Sequence, residues 1–98
     1  SGKLLNMFSG DTRKLVLRCD DSILEEMVDR FGEECKIRKA VADTEEMFTL
    51  ETKCVCSEGL VSWLMQFGNK VQVISPESLR DDITEKAKSI LKVYCDDK

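Results

Sequence analysis

Histidine is absent from all 98 residues. Its absence removes most nucleophile–histidine triads, the commonest general base and the commonest neutral metal ligand. Glycine is sparse at five and proline occurs once. No glycine-rich phosphate loop is present, and no acidic pair stands apart from the surface acids. A catalytic role and a bound cofactor are therefore not expected. The chain also lacks an apolar run approaching the roughly 20 residues that span a bilayer, and it shows no secretory leader pattern. In that setting the five cysteines, an odd number, read as reduced thiols of a cytoplasmic protein with no disulfide framework. The 15 basic residues are outnumbered by 19 acidic ones, a net charge of −4. Such a balance argues against sequence-independent binding to DNA, which usually leaves a basic footprint.

What is present is ordinary globular material, 42 % hydrophobic and 35 % charged. Its length suits one domain that buries roughly 60–65 % of its unfolded surface. The chain opens on Ser1-Gly2 rather than Met, and the expectation is of a piece cut from a longer protein. Residues 1–12 read as an arm or linker whose Leu4, Leu5, Met7 and Phe8 need a docking site. Residues 13–95 read as the domain and 96–98 as a tail.

The domain repeats one pattern: a short strand, a Ser-opened helix, Phe-Gly, another strand. Ser22 and Ser57 lie 35 positions apart, and Gly32 and Gly68 lie 36 apart. Strand one is expected over about 13–19, with Leu15, Leu17 and Cys19 on one face by two-residue alternation. Ser22 with Glu25 reads as a capping box. The helix after it carries Ile23, Leu24, Met27, Val28 and Phe31 as one stripe, and Gly32 stops it. Strand two is expected over 36–42 with Ile37 and Val41 inward, then a polar turn at Asp43–Glu46. Strand three covers about 47–56. Ser57 caps a second helix bearing Leu60, Val61, Trp63, Leu64 and Phe67, and strand four follows over 71–74. Ser75-Pro76-Glu77 then reads as an N-cap, a first-turn proline and an acid. They open a third helix of about 19 residues striped with Leu79, Ile83, Ala87, Ile90, Leu91 and Tyr94. Right-handed crossovers place both short helices on one face. The expected fold is α+β: a ferredoxin-like β-α-β-β-α-β two-layer sandwich with an added C-terminal helix.

Three constellations bear on function. Cys54-x-Cys56 share a strand face, and with Cys19 on a neighbouring strand they offer three thiolates to a zinc ion; the plainer reading is three small core hydrophobes. The uncovered face is expected to carry Val16, Arg18, Lys36, Arg38, Ala40, Thr49, Glu51, Lys53, Val55, Gln72 and Ile74. Four bases against one acid suit an anionic ligand or an acidic partner, with Arg18, Arg38 and Lys53 as the candidates. Alternatively it is a solvated face of cross-strand ion pairs. Interface candidates are Trp63 and, on the third helix, Ile83, Ile90 and Tyr94, if that helix does not pack within the chain.

The run Asn6-Met7-Phe8-Ser9-Gly10, then Val16-Leu17-Arg18, then Asp29-Arg30-Phe31-Gly32 resembles the C-terminal extension (WCX) of WYL-domain transcriptional regulators. So do Ser57-Glu58-Gly59-Leu60, Trp63-Leu64, Phe67-Gly68 and Ser75-Pro76-Glu77-Ser78-Leu79-Arg80, with a last helix closing on Tyr94. The resemblance spans nearly the whole chain in order. It departs at Asp43–Glu46, where a glycine is expected. It implies a regulatory, dimer-forming domain of a bacterial transcription factor that assists effector sensing without reading the operator. The implied partners are a winged-helix domain and a WYL domain of the same full-length chain, a second copy, and a nucleic-acid-type or other anionic effector. The other class in play is a stand-alone ferredoxin-like module that binds a small ligand at a subunit interface.

Overall fold

The computed structural model describes residues 12–39 and 46–95. The arm at 1–11, the inward position expected for Val41, most of the 43–46 turn and the 96–98 tail lie outside the described residues. The elements are β1 (Thr12–Asp20), a 3-10 turn (Asp21–Ile23), α1 (Leu24–Phe31), a second turn (Gly32–Glu34), β2 (Lys36–Arg38) and β3 (Met47–Val55). They are followed by α2 (Glu58–Met65), a third turn (Gly68–Lys70), β4 (Val71–Ser75) and α3 (Glu77–Cys95). The fold is α+β: a four-stranded sheet in the order β2-β3-β1-β4 with three helices. Every neighbouring pair is antiparallel.

β1 and β3 pair along their full length, from Thr12 opposite Val55 to Asp20 opposite Met47. Alternation puts Leu15, Leu17 and Cys19 of β1 on the face that also carries Phe48, Leu50 and Thr52 of β3, and all six are buried. Ile23 and Met27 pack onto this face from the first helical unit, Leu60, Val61 and Leu64 from α2, and Leu79 from α3. The helices therefore share one side of the sheet, and among the described residues the other side has no helix on it.

Local chemistry explains the ends. Gly32 and Gly68 have φ of 74° and 61°, a region open to glycine at little cost; Gly32 ends α1 as expected, whereas α2 ends at Met65 with Gln66 as its cap and Gly68 opens the turn into β4. The Ser57 hydroxyl accepts the Leu60 N–H at 3.3 Å and caps α2. The capping box expected at Ser22 does not form. Asp20 caps instead, its carboxylate accepting the Ser22 N–H at 2.8 Å, because the chain passes through a 3-10 turn before α1 begins. This bond to the backbone holds the Asp20 carboxyl below its usual range.

Three further expectations change. Leu24 and Val28 are each 41 % exposed, since an eight-residue helix meets the sheet along the line of Ile23 and Met27 only. Ser75 is not the N-cap of α3: it remains in β4 opposite Val16. The Pro76 carbonyl takes the capping place and accepts the Leu79 and Arg80 N–H groups at 3.1 and 3.2 Å. Ile37 faces the core side opposite Leu50 yet is 39 % exposed, because β2 is an edge strand. β4 departs from regular pairing as well: Val73 and Ser75 oppose Leu17 and Val16, leaving Ile74 as a bulge.

α3 has the expected 19 residues, but only its first half is seated. Leu79 is buried and Ile83 rests against the core. Beyond them Ile90, Leu91, Val93 and Tyr94 are exposed, Tyr94 at 80 %.

The packing sets the order of mutational costs. Leu50→Ala should lower stability by about 2–5 kcal/mol through lost burial and a residual cavity. Ser57→Ala should cost about 1 kcal/mol through the lost cap. Glu85→Gln, at an exposed position of α3, should stay within about 0.5 kcal/mol. Urea unfolding of the three variants checks this order.

Candidate functional site

The uncovered face is built by the residues that alternate with the core. Register places Arg38, Thr49, Arg18 and Gln72 in one row across β2, β3, β1 and β4. The next row holds Lys36, Glu51 and Val16, and the row after it Lys53 beside Lys14. Strands lie about 4.8 Å apart and same-face residues about 6.6 Å along a strand. The three candidates thus share one face. Arg18 and Arg38 flank Thr49 from either side, while Lys53 stands two rows away, about 13 Å along β3.

Asp20 shares the face at the end of β1, and five cations, Lys14, Arg18, Lys36, Arg38 and Lys53, surround the central acid, Glu51. Its carboxylate meets Arg38 Nη2 at 3.2 Å and Lys14 Nζ at 3.3 Å. The hydrogen bond from Lys14, then the charges of Lys14 and Arg38, hold the Glu51 carboxyl below its ordinary value despite partial desolvation. The expected cross-strand pairing is therefore present, and an excess of positive charge remains around it. An open depression of about 350 Å³ lies among Lys14, Lys36, Lys53, Glu34 and Glu51. Lys14 was missed as a contributor. The signal was available, since Lys14 is two residues from Val16 on the same strand.

Trp63 is half-buried between the two helices. Phe31 meets it edge-on at 5.7 Å between ring centroids and Phe67 at 4.9 Å. The Arg30 guanidinium covers its ring at 4.8 Å, a favourable cation–π arrangement. Ile83 is turned inward, whereas Ile90 and Tyr94 stand exposed on the last turns of α3.

Cys54 lies opposite Arg13 in register and Cys19 opposite Phe48, so six residues of β1, about 20 Å, separate the proposed thiolates. The three cannot share one ion, and among the described residues no cluster of three His, Cys, Asp or Glu side chains is placed to hold a metal. Burial pushes the Cys19 thiol up to about 12 and Cys54 to about 11. Cys56 is raised in the same way. All three remain neutral at pH 7 and pack as small apolar groups.

The WCX domain family matches this sequence across residues 11–91. The chain belongs to the WCX domain family. The match runs from the start of β1 through most of α3 and takes in every residue of the basic face, while Val93 and Tyr94 lie beyond it. No curated protein matches the chain. Among the described residues of this WCX domain, no helix is long and apolar enough to cross a membrane.

The Glu51 hub has a pH signature. Its folded-state value is depressed below the ordinary 4.5. Its contribution to stability is thus complete above about pH 4.5 and is lost as the pH falls through the folded-state value. Wild type should therefore melt above Glu51→Gln at pH 7, with the gap closing on acidification below pH 4.5. Thermal melts from pH 7 to 3 measure this; a gap independent of pH contradicts the assignment.

Proposed function

We propose that this WCX domain is the regulatory and dimer-forming module of a bacterial, cytoplasmic WYL-family transcription factor. In this reading it has no catalysis of its own and does not read the operator. It adopts the ferredoxin-like arrangement with an added helix, and it works beside the winged-helix and WYL domains of one full-length chain. Membership of the WCX family is the observation that carries the proposal. The basic face supports it, being suited to an anionic effector or to the acidic surface of a neighbouring domain. The unseated end of α3 supports the dimer, since Ile90, Leu91, Val93 and Tyr94 are exposed together on one element.

Arg18, Arg38 and Lys53 are the residues assigned to the effector side. Replacing all three with Ala in the intact regulator should weaken the transcriptional response to effector while the melting transition is retained. An unchanged response rejects the assignment. For the dimer, Ile90→Ser combined with Tyr94→Ser should raise the dissociation constant at least tenfold, read by sedimentation equilibrium. Unaltered self-association in that variant removes α3 from the interface.

A further inference from the structure

On the helical side, the chain leaves a second concavity that shares no charged residue with the basic face. α3 is held at its start by Leu79 in the core and by Arg13 Nη1 donating to Ser78 Oγ at 3.2 Å. Farther along, Lys86 approaches Glu58 of α2 at 4.0 Å. Between these ties and the edge strand β4 the helix spans a groove of about 450 Å³. The turn at Gly68, made possible by its positive φ, contributes one wall.

The groove reaches the core. Leu64 and Val73, both buried, line it together with Ile83 of α3. Its volume falls within the range of small-molecule sites, which are mostly apolar with a few placed polar groups. Here the polar groups are Asn69, Thr84 and Arg80, with Gln72 at the β4 edge, and Arg80 is the one charged residue in the lining. Among the described residues no ion pair engages the Arg80 guanidinium. The Thr84 hydroxyl is turned to the Arg80 backbone carbonyl at 2.8 Å, which leaves the guanidinium as the one charged donor beside the neutral Asn69 amide. An apolar floor beneath one unpaired cation selects a ligand with an apolar body and one negative head. Arg matches a carboxylate with two parallel hydrogen bonds.

We propose that the groove between β4 and α3 binds a small amphipathic monocarboxylate, its apolar body on Leu64, Val73 and Ile83 and its head on Arg80. The proposal stands apart from the effector assignment on the sheet face, which involves other residues.

The test is an NMR titration of the 98-residue chain with sodium octanoate and, separately, with 1-octanol. Octanoate should shift the amides of Asn69, Val71, Ile83 and Thr84 saturably and bind about tenfold more tightly than octanol, the scale of one charge-assisted contact. Arg80→Gln should bring the two ligands to equal affinity. Ala87→Trp, at an exposed helical position that lines the groove, should weaken octanoate at least tenfold with the unfolding midpoint unchanged. Equal affinities in wild type, no saturable shift, or octanoate shifts confined to Ile90–Tyr94 each overturn the proposal. Shifts of the groove amides on dilution alone place a second copy there and overturn it as well.

Discussion

The structure depends on the position of β1. It is an inner strand, paired with β3 along nine residues and with β4 on its other edge. Its alternation therefore sets both surfaces of the sheet. Leu15, Leu17 and Cys19 supply the floor on which α1, α2 and the first turns of α3 rest, while Lys14, Val16 and Arg18 form the centre of the opposite face. A slip of one residue would exchange the two sets and bury Lys14 and Arg18 among leucines. Burial of an unpaired charge costs several kcal/mol, so the register is strongly specified.

Glu51 makes the same point for β3. It is the central acid on a face that also holds five cations and, at the end of β1, Asp20, and it engages Lys14 and Arg38 from the strands on either side. Exposed pairs of this kind contribute little stability each. Their larger effect is on electrostatics: Glu51 offsets part of the positive charge at the middle of the sheet, and basic residues still outnumber acids around it. In a chain of net charge −4, this concentrates an attractive field for anions on one side.

Much of this was legible in the residues. Strict alternation in β1 and β3 made their inward faces readable, because a strand's side-chain period leaves two choices and the leucines decide between them. Ser57 and Gly32 marked helix boundaries through local hydrogen bonding and backbone freedom, which need no distant partner. Where boundaries shifted, a neighbouring group competed successfully: Asp20 reached the Ser22 amide ahead of the expected cap, and pairing with Val16 kept Ser75 in the sheet. Leu24 and Val28 read as core because they share a stripe with Met27, yet a stripe does not state how wide the contact beneath it will be. The grouping of Arg18, Arg38 and Lys53 on one face followed from alternation, whereas the engagement of Glu51 by Arg38 and Lys14 required the register between strands.

The sequence by itself determined the order of strands and helices, the helix stops and the inward leucines. These are local properties of spacing, backbone freedom and side-chain type. Tertiary structure alone decided that Cys19 lies far from Cys54 and Cys56, that Trp63 is held between Phe31 and Phe67 under Arg30, and that α3 is seated at one end and bare at the other. It also opened the groove beside β4 beneath the unpaired Arg80. Each of these outcomes rests on distances between segments remote in the chain, and those distances follow from how the sheet pairs and which faces its helices can cover.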